Sequence, residues 1–114
     1  MEQIQQTKFS LCPKFEKGFT ILGKKWNGLI IDVLLEEGPQ RFVDLAAKIP
    51  HVSDRVLAER LRELEQEGLV TRISGNEGQK RLDYCLTNKG KALDTVMKEL
   101  HEWGEKWITE QECS

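Results

Sequence analysis

Apolar side chains recur along this chain at helical spacing, stop at two prolines, and then change period. Phe15, Phe19 and Leu22, four and three residues apart, predict the buried stripe of a first helix. Cys12-Pro13 opens it, because proline tolerates the first helical position, where its missing N–H is no loss. Trp26, Leu29, Ile30, Val33 and Leu34 place a second helix over about residues 25–37, and Gly38-Pro39 ends it. Phe42, Leu45, Ala46 and Ile49 mark a short third helix that Pro50 stops. Ser53 is a good N-cap for a fourth helix running to Glu67 before Gly68, with Leu57, Leu61 and Leu64 on its inner face.

The period then shortens. Residues 69–73 and 82–87 read as two strands, the second alternating apolar Leu82, Tyr84 and Leu86 with polar neighbours. Residues 74–78 between them are rich in turn formers. A final helix is predicted over residues 88–110, with Thr87 as its N-cap. The fold class is therefore mainly α with a small β-hairpin. The third and fourth helices, joined by Pro50-His51-Val52, form a helix-turn-helix, and the hairpin is a wing leaning on it. Residues 1–10 read as a flexible arm, 11–110 as one winged helix-turn-helix domain, and 111–114 as a flexible tail.

Composition narrows the function classes. A charged fraction of 32% and a hydrophobic fraction of 39% describe a folded globular chain rather than a disordered one. No apolar run approaches the roughly 20 residues of a membrane span, and the polar N-terminus lacks a signal core, so a cytoplasmic protein without membrane contact is expected. The net charge of −2 is a poor footprint for a nucleic-acid binder. Its distribution answers this in part: residues 40–87 hold eight Lys/Arg and eight Asp/Glu, while residues 88–114 hold four against six. The acidic surplus lies in the last helix, away from the helix-turn-helix.

Four features could carry chemistry. On the outer face of the fourth helix, Arg55, Glu59 and Arg62 lie at i, i+4 and i+7, behind Ser53 and Asp54 in the first turn. The N-terminal part of such a helix enters the major groove, where Arg reads guanine edges. Taken alone, the stripe reads more simply as a solvated face of ordinary helical ion pairs. Glu63, Glu65 and Glu67 at the other end would repel phosphates, so only an N-terminal approach to DNA is permitted. Arg72, Lys80 and Arg81 of the wing, and more weakly Arg41 before the third helix, could touch phosphates; the alternative is a hairpin charged merely to keep its edge soluble. Leu93, Val96, Met97, Leu100, Trp103, Gly104, Trp107 and Ile108 form a long apolar face on the last helix. It could pack on its own domain, but two tryptophans favour a second copy, and a twofold homodimer would present two recognition helices to a palindromic operator.

Cys12 is the fourth feature. A helix N-terminus with Lys14 and Lys17 nearby favours the thiolate, the reactive form; the plainer reading is a small apolar filler. Cys85 falls in strand alternation, and Cys113 is one of the last two residues of the sequence. Two weaker signals are discarded. Gly18 to Lys24 matches most of a P-loop, but Lys25 stands where Ser or Thr must hold magnesium. His51 and His101 have no Cys or carboxylate partner at metal spacing, so no zinc site is predicted. No nucleophile–base signature appears, and neither an enzyme nor a cofactor is expected.

With these elements in place the chain resembles the HxlR-type winged-helix transcription regulators, relatives of the MarR group. The resemblance runs from Cys12 to about Ile108. It rests on Cys12-Pro13, Gly23-Lys24-Lys25-Trp26, Gly38-Pro39-Gln40-Arg41-Phe42, the run from Leu57 to Glu65, Tyr84-Cys85-Leu86-Thr87 with Gly90, and Trp103. Cys12-Pro13-Lys14 and the run from Lys25 to Ile31 are most similar to the quinone- and diamide-responsive YodB-like branch. The resemblance implies a repressor that binds double-stranded DNA as a homodimer joined through its first and last helices, with Phe15 and Phe19 in the interface. It also implies Cys12 as a sensor, through either a Cys12–Cys113 intersubunit disulfide or quinone alkylation of Cys12 alone. Ile108 stands where such sensors place their first C-terminal cysteine. The alternatives are a regulator answering a non-covalent small ligand and a winged-helix protein-interaction module without DNA binding.

Overall fold

The computed structural model describes residues 8–74 and 82–113. In chain order they form α1 (Pro13–Leu22), α2 (Lys25–Glu37), α3 (Phe42–Lys48), α4 (Asp54–Gln66), β1 (Val70–Ser74), β2 (Leu82–Leu86), α5 (Asn88–Lys91) and α6 (Asp94–Trp107), then a 3₁₀ turn over Glu110–Cys113. Most of the expected arm, and the turn from Gly75 to Arg81 with Lys80, lie outside the described residues. Among the described residues no helix is long and apolar enough to cross a membrane.

Periodicity and caps explain α2 and α4. Both stop at glycines in the left-handed region, Gly38 at φ 80° and Gly68 at φ 77°, a conformation glycine adopts without a Cβ penalty. Ile30, Ile31 and Leu34 of α2 join Leu57, Leu61 and Leu64 of α4 in one buried cluster, completed by Leu45, Ile49, Leu69, Val70, Leu86 and Met97. Each such side chain contributes about 1.5–3 kcal/mol on leaving water. The two strands pair antiparallel, from Val70 opposite Leu86 to Ser74 opposite Leu82. Gln40 adds a one-residue bridge: its N–H donates to the Tyr84 carbonyl at 2.9 Å, and the Tyr84 N–H donates back at 2.8 Å.

Several burial expectations fail. Phe15 and Phe19 are not a buried stripe; both are largely exposed, and Ile21 is the buried residue of α1. In α2, Leu29 is exposed, while Ile31 and the polar Asn27 are buried. Leu82 is exposed, and Asp83, Tyr84 and Cys85 are all half-buried, so the expected alternation of β2 is not realised and only Leu86 is buried. The single final helix is divided. Leu93 donates to the Gly90 carbonyl three residues back, at 3.1 Å, and this tighter turn over Ala92–Leu93 separates α5 from α6.

The base of the hairpin is tied to α5. The Thr87 hydroxyl donates to the Gly68 carbonyl at 2.6 Å and accepts the Gly90 N–H at 3.1 Å, so Thr87 caps α5 as expected. A Cβ on Gly90 would sit 2.3 Å from the Leu69 carbonyl oxygen and 2.9 Å from the Leu86 side chain. Gly90→Ala is therefore expected to destabilise the fold by about 1–3 kcal/mol, as overpacking does. Thermal unfolding followed by circular dichroism checks this, and an unchanged midpoint would contradict the close approach.

Candidate nucleic-acid interface

The turn into α4 is short because His51 adopts φ 70°, a left-handed conformation uncommon for an L side chain. Ser53 then caps the helix, its Oγ accepting the Val56 N–H at 3.1 Å. With three leucines inward, Arg55, Glu59 and Arg62 point the other way. The Arg55 side chain is 88% exposed, and its 3.7 Å approach to Glu59 is an ion pair of a kind that holds little. Ser53 and Asp54 are exposed at the same end. Arg41, one helix earlier, lies against Asp44: its Nε is 3.3 Å and its Nη2 3.4 Å from the two carboxylate oxygens. That guanidinium and the Arg41 backbone N–H hold the Asp44 carboxyl below its usual pKa.

At the far end of α4 the three glutamates are all paired. Glu63 accepts from Lys24 at 2.8 Å and lies 3.0 Å from Arg60. Glu65 accepts from Arg72 at 2.9 Å, and Glu67 from Lys17 at 3.1 Å. Lys89 donates to the Glu67 carbonyl at 2.7 Å, where a cation suits the negative end of the helix. The expected negative pole is thus largely compensated. Arg72, which the sequence offered to phosphates, is committed to Glu65 and lies over the Tyr84 ring at 5.6 Å. Lys80 and Arg81 are outside the described residues.

The pairings of Lys17 with Glu67 and of Lys24 with Glu63 have no signal in the local sequence, because the partners lie 50 and 39 residues away. Together with Asn27, whose buried amide donates to the Ile21 carbonyl at 3.0 Å, they tie α1 and the α1–α2 turn to the end of α4.

On α1 and α6 the apolar side chains face outward. Phe15 and Phe19 stack at 6.1 Å, and Val96, Leu100, Trp103 and Trp107 are exposed; Leu93 is half-buried and Met97 buried. Cys12 is a free, exposed thiol at the N-cap of α1. Cys113 is also free and exposed, its Sγ donating to the Thr109 carbonyl at 3.5 Å. Cys85 is half-buried in β2. A groove of about 670 Å³ runs between α2 and α6, with Leu29 and Leu100 in its walls and Cys113 at one end. On its rim the Nε2 atom of His101 is 2.8 Å from Asp32 Oδ1, and this carboxylate raises the imidazole pKa. The carboxylate that meets His101 in the fold is 69 residues distant, outside any local metal spacing in the sequence.

The model of the HxlR-like helix-turn-helix family matches residues 21–112. YvaP, an uncharacterized HTH-type transcriptional regulator of Bacillus subtilis (strain 168), is 48% identical over 98 residues, which cover 86% of this chain and 90% of YvaP. YodB, an HTH-type transcriptional regulator of the same organism, is 46% identical over 98 residues, covering 86% and 87%. The structure of reduced YodB superposes with a TM-score of 0.75 at 45% identity, over 87% of this chain and 96% of that one. Quinone-bound YodB superposes with a TM-score of 0.72 at 46% identity, over 85% and 100%.

The Lys24–Glu63 pair makes a testable contribution to the stability of this end of α4. The Lys24 ammonium holds the Glu63 carboxyl below its usual pKa, against the opposing effect of burial. A carboxyl depressed in the folded state stabilises it above the unfolded-state pKa, and this stabilisation is lost as the pH falls through the lower folded value. Lys24→Met is therefore expected to lower the urea midpoint at pH 7 and to flatten its fall between pH 5 and pH 3. Parallel wild-type and variant curves would refute this.

Proposed function

The chain belongs to the HxlR-like helix-turn-helix family of transcriptional regulators, and on that premise we propose that it binds operator DNA as a homodimer and is released when Cys12 is oxidised or alkylated. The observation that carries the DNA-binding reading is the outward face of α4. Arg55 and Arg62 are exposed there, opposite the leucines that fix the helix, with Ser53 and Asp54 at the leading end. In this reading Arg55 and Arg62 contact base edges, Glu59 reads an exocyclic amine, and Ser53 meets a phosphate. Arg41 and the wing residues Lys80 and Arg81 supply backbone contacts, while Arg72 stays with Glu65. A palindromic operator follows from twofold symmetry.

The homodimer is supported by exposed apolar surface. Phe15 is 63% exposed, Phe19 66%, Trp103 55% and Trp107 62%, alongside Val96 and Leu100. A patch of this kind marks an interaction site. The radius of gyration, 17.4 Å against about 13 Å for a compact domain of this length, reflects helices that reach beyond their own core. α1 of one copy against α6 of the other would cover both aromatic faces.

The thiol reading rests on Cys12 as a free, exposed sulfur at the N-cap of α1, and on the likeness of the chain as a whole to a regulator solved with quinone bound. A quinone would take the Cys12 thiolate at a ring carbon; a C–S bond forms, and the ring gains a proton to become a hydroquinone adduct. Diamide would instead draw two electrons from Cys12 and the partner copy's Cys113, giving a disulfide and the reduced hydrazine.

The test is binding of reduced protein to labelled DNA spanning its own promoter, with genome-wide fragment selection in parallel, before and after brief diamide or quinone treatment. Salt-sensitive binding that treatment abolishes and Cys12→Ser preserves is the expected result. Arg62→Ala should weaken specific binding roughly tenfold or more, in line with about 1–3 kcal/mol per base contact. Cys113→Ser distinguishes the two chemistries, because only the disulfide needs it. Binding indifferent to treatment would leave a DNA-binding regulator without a thiol switch; selection of no fragment would favour the interaction-module reading. In sedimentation, the double substitution Trp103→Ala, Trp107→Ala should yield monomers, whereas an intact dimer would move the interface elsewhere.

A further inference from the structure

Asp32, Glu36 and His101 bring a nitrogen and two carboxylate oxygens within 4.8 Å of one another at the rim of the α2–α6 groove. Asp32 and Glu36 are separated by one turn of α2; His101 reaches them from α6. Glu105, one turn beyond His101, lines the same groove, and with Glu36 it adds to the negative potential at the imidazole. Three carboxylates therefore face one imidazole. Among the described residues none of the three is paired with a lysine or arginine: Lys48 is taken by Glu37, Lys98 by Asp94, and Lys106 lies over Trp107.

Helix formation gives no reason for this arrangement. Like charges one turn apart destabilise a helix, and Glu36 adds negative charge to the last turn of α2, where no basic residue offsets the macrodipole. A divalent cation would relieve both repulsions at once. The hydrogen bond from His101 to Asp32 already places the imidazole nitrogen beside an oxygen ligand; the ion would take the place of the shared proton, which leaves to solvent.

We propose that Asp32, Glu36 and His101 form a surface site for a borderline divalent transition-metal ion of the zinc class, bridging α2 and α6. One imidazole with two carboxylates suits zinc or cobalt better than calcium, which prefers six to eight oxygens, or magnesium, which sheds water reluctantly. The groove beside the site has room for the water ligands that complete the coordination shell. The ion would clamp α6 to α2, and α6 carries the exposed tryptophan face. The site does not depend on DNA binding or on the cysteines.

Metal uptake by the full-length reduced chain tests this, with zinc followed by calorimetry and cobalt by its visible absorption. One equivalent per chain is expected, with a cobalt spectrum lacking a thiolate charge-transfer band and a thermal midpoint that rises with zinc concentration. His101→Ala and Glu36→Gln should each weaken binding by more than about tenfold, and Cys113→Ser should leave it unchanged. Glu36 is exposed, so its variant keeps the test informative should His101→Ala disturb α6. No uptake by the wild type, uptake that survives either ligand substitution, or uptake lost only with Cys113→Ser would each overturn the proposal.

Discussion

Ile30, Ile31 and Leu34 of α2 and Leu57, Leu61 and Leu64 of α4 share a buried cluster with almost no solvent exposure, and the remaining geometry depends on it. The leucines set the rotation of α4 about its own axis. Turning the helix by one residue, about 100°, would carry charged side chains toward the core, where an unpaired ion costs several kcal/mol. The outward position of Arg55, Glu59 and Arg62 is thus a consequence of apolar packing on the opposite side. Ser53 and the left-handed His51 then determine where the helix begins.

Electrostatics secure the other end of the same helix. Glu63, Glu65 and Glu67 draw Lys24, Arg72 and Lys17 from three separate segments, so α1, the α1–α2 turn and β1 all converge on the last turns of α4. Exposed pairs of this kind contribute little individually. Their placement matters more than their strength, because they join α1, which carries Cys12, to the helix that presents Arg55 and Arg62.

Local chemistry decided what was legible in the sequence. The bounds of α2 and α4 are readable because apolar period, cap and terminal glycine agree. The helix-turn-helix, the two strands and the capping role of Thr87 follow in the same way. The failures share one cause. Periodicity says that a face is apolar without saying what covers it, so Phe15 and Phe19 were placed in a core from which they point away. Apolar spacing also continues through Ala92 and Leu93, which hid the turn dividing α5 from α6. Arg72 looked free because Glu65 reaches it across a helix–strand junction, and His101 looked alone because Asp32 is on another helix. Pairings across the fold leave no mark on local sequence.

The junction of the hairpin with α5 has a mechanical consequence. The Thr87 N–H donates to the Leu69 carbonyl at 3.0 Å, the Thr87 hydroxyl holds Gly68, and Gly90 presses directly against Leu69. Backbone so closely engaged cannot slip by a residue, since that would drive a side chain into the space Gly90 leaves open. The hairpin is therefore fixed at its base like a clamped beam. Its register is locked at the Leu69–Thr87 contact, and the Gln40–Tyr84 bridge and the Arg72–Glu65 pair hold both strands again beyond it.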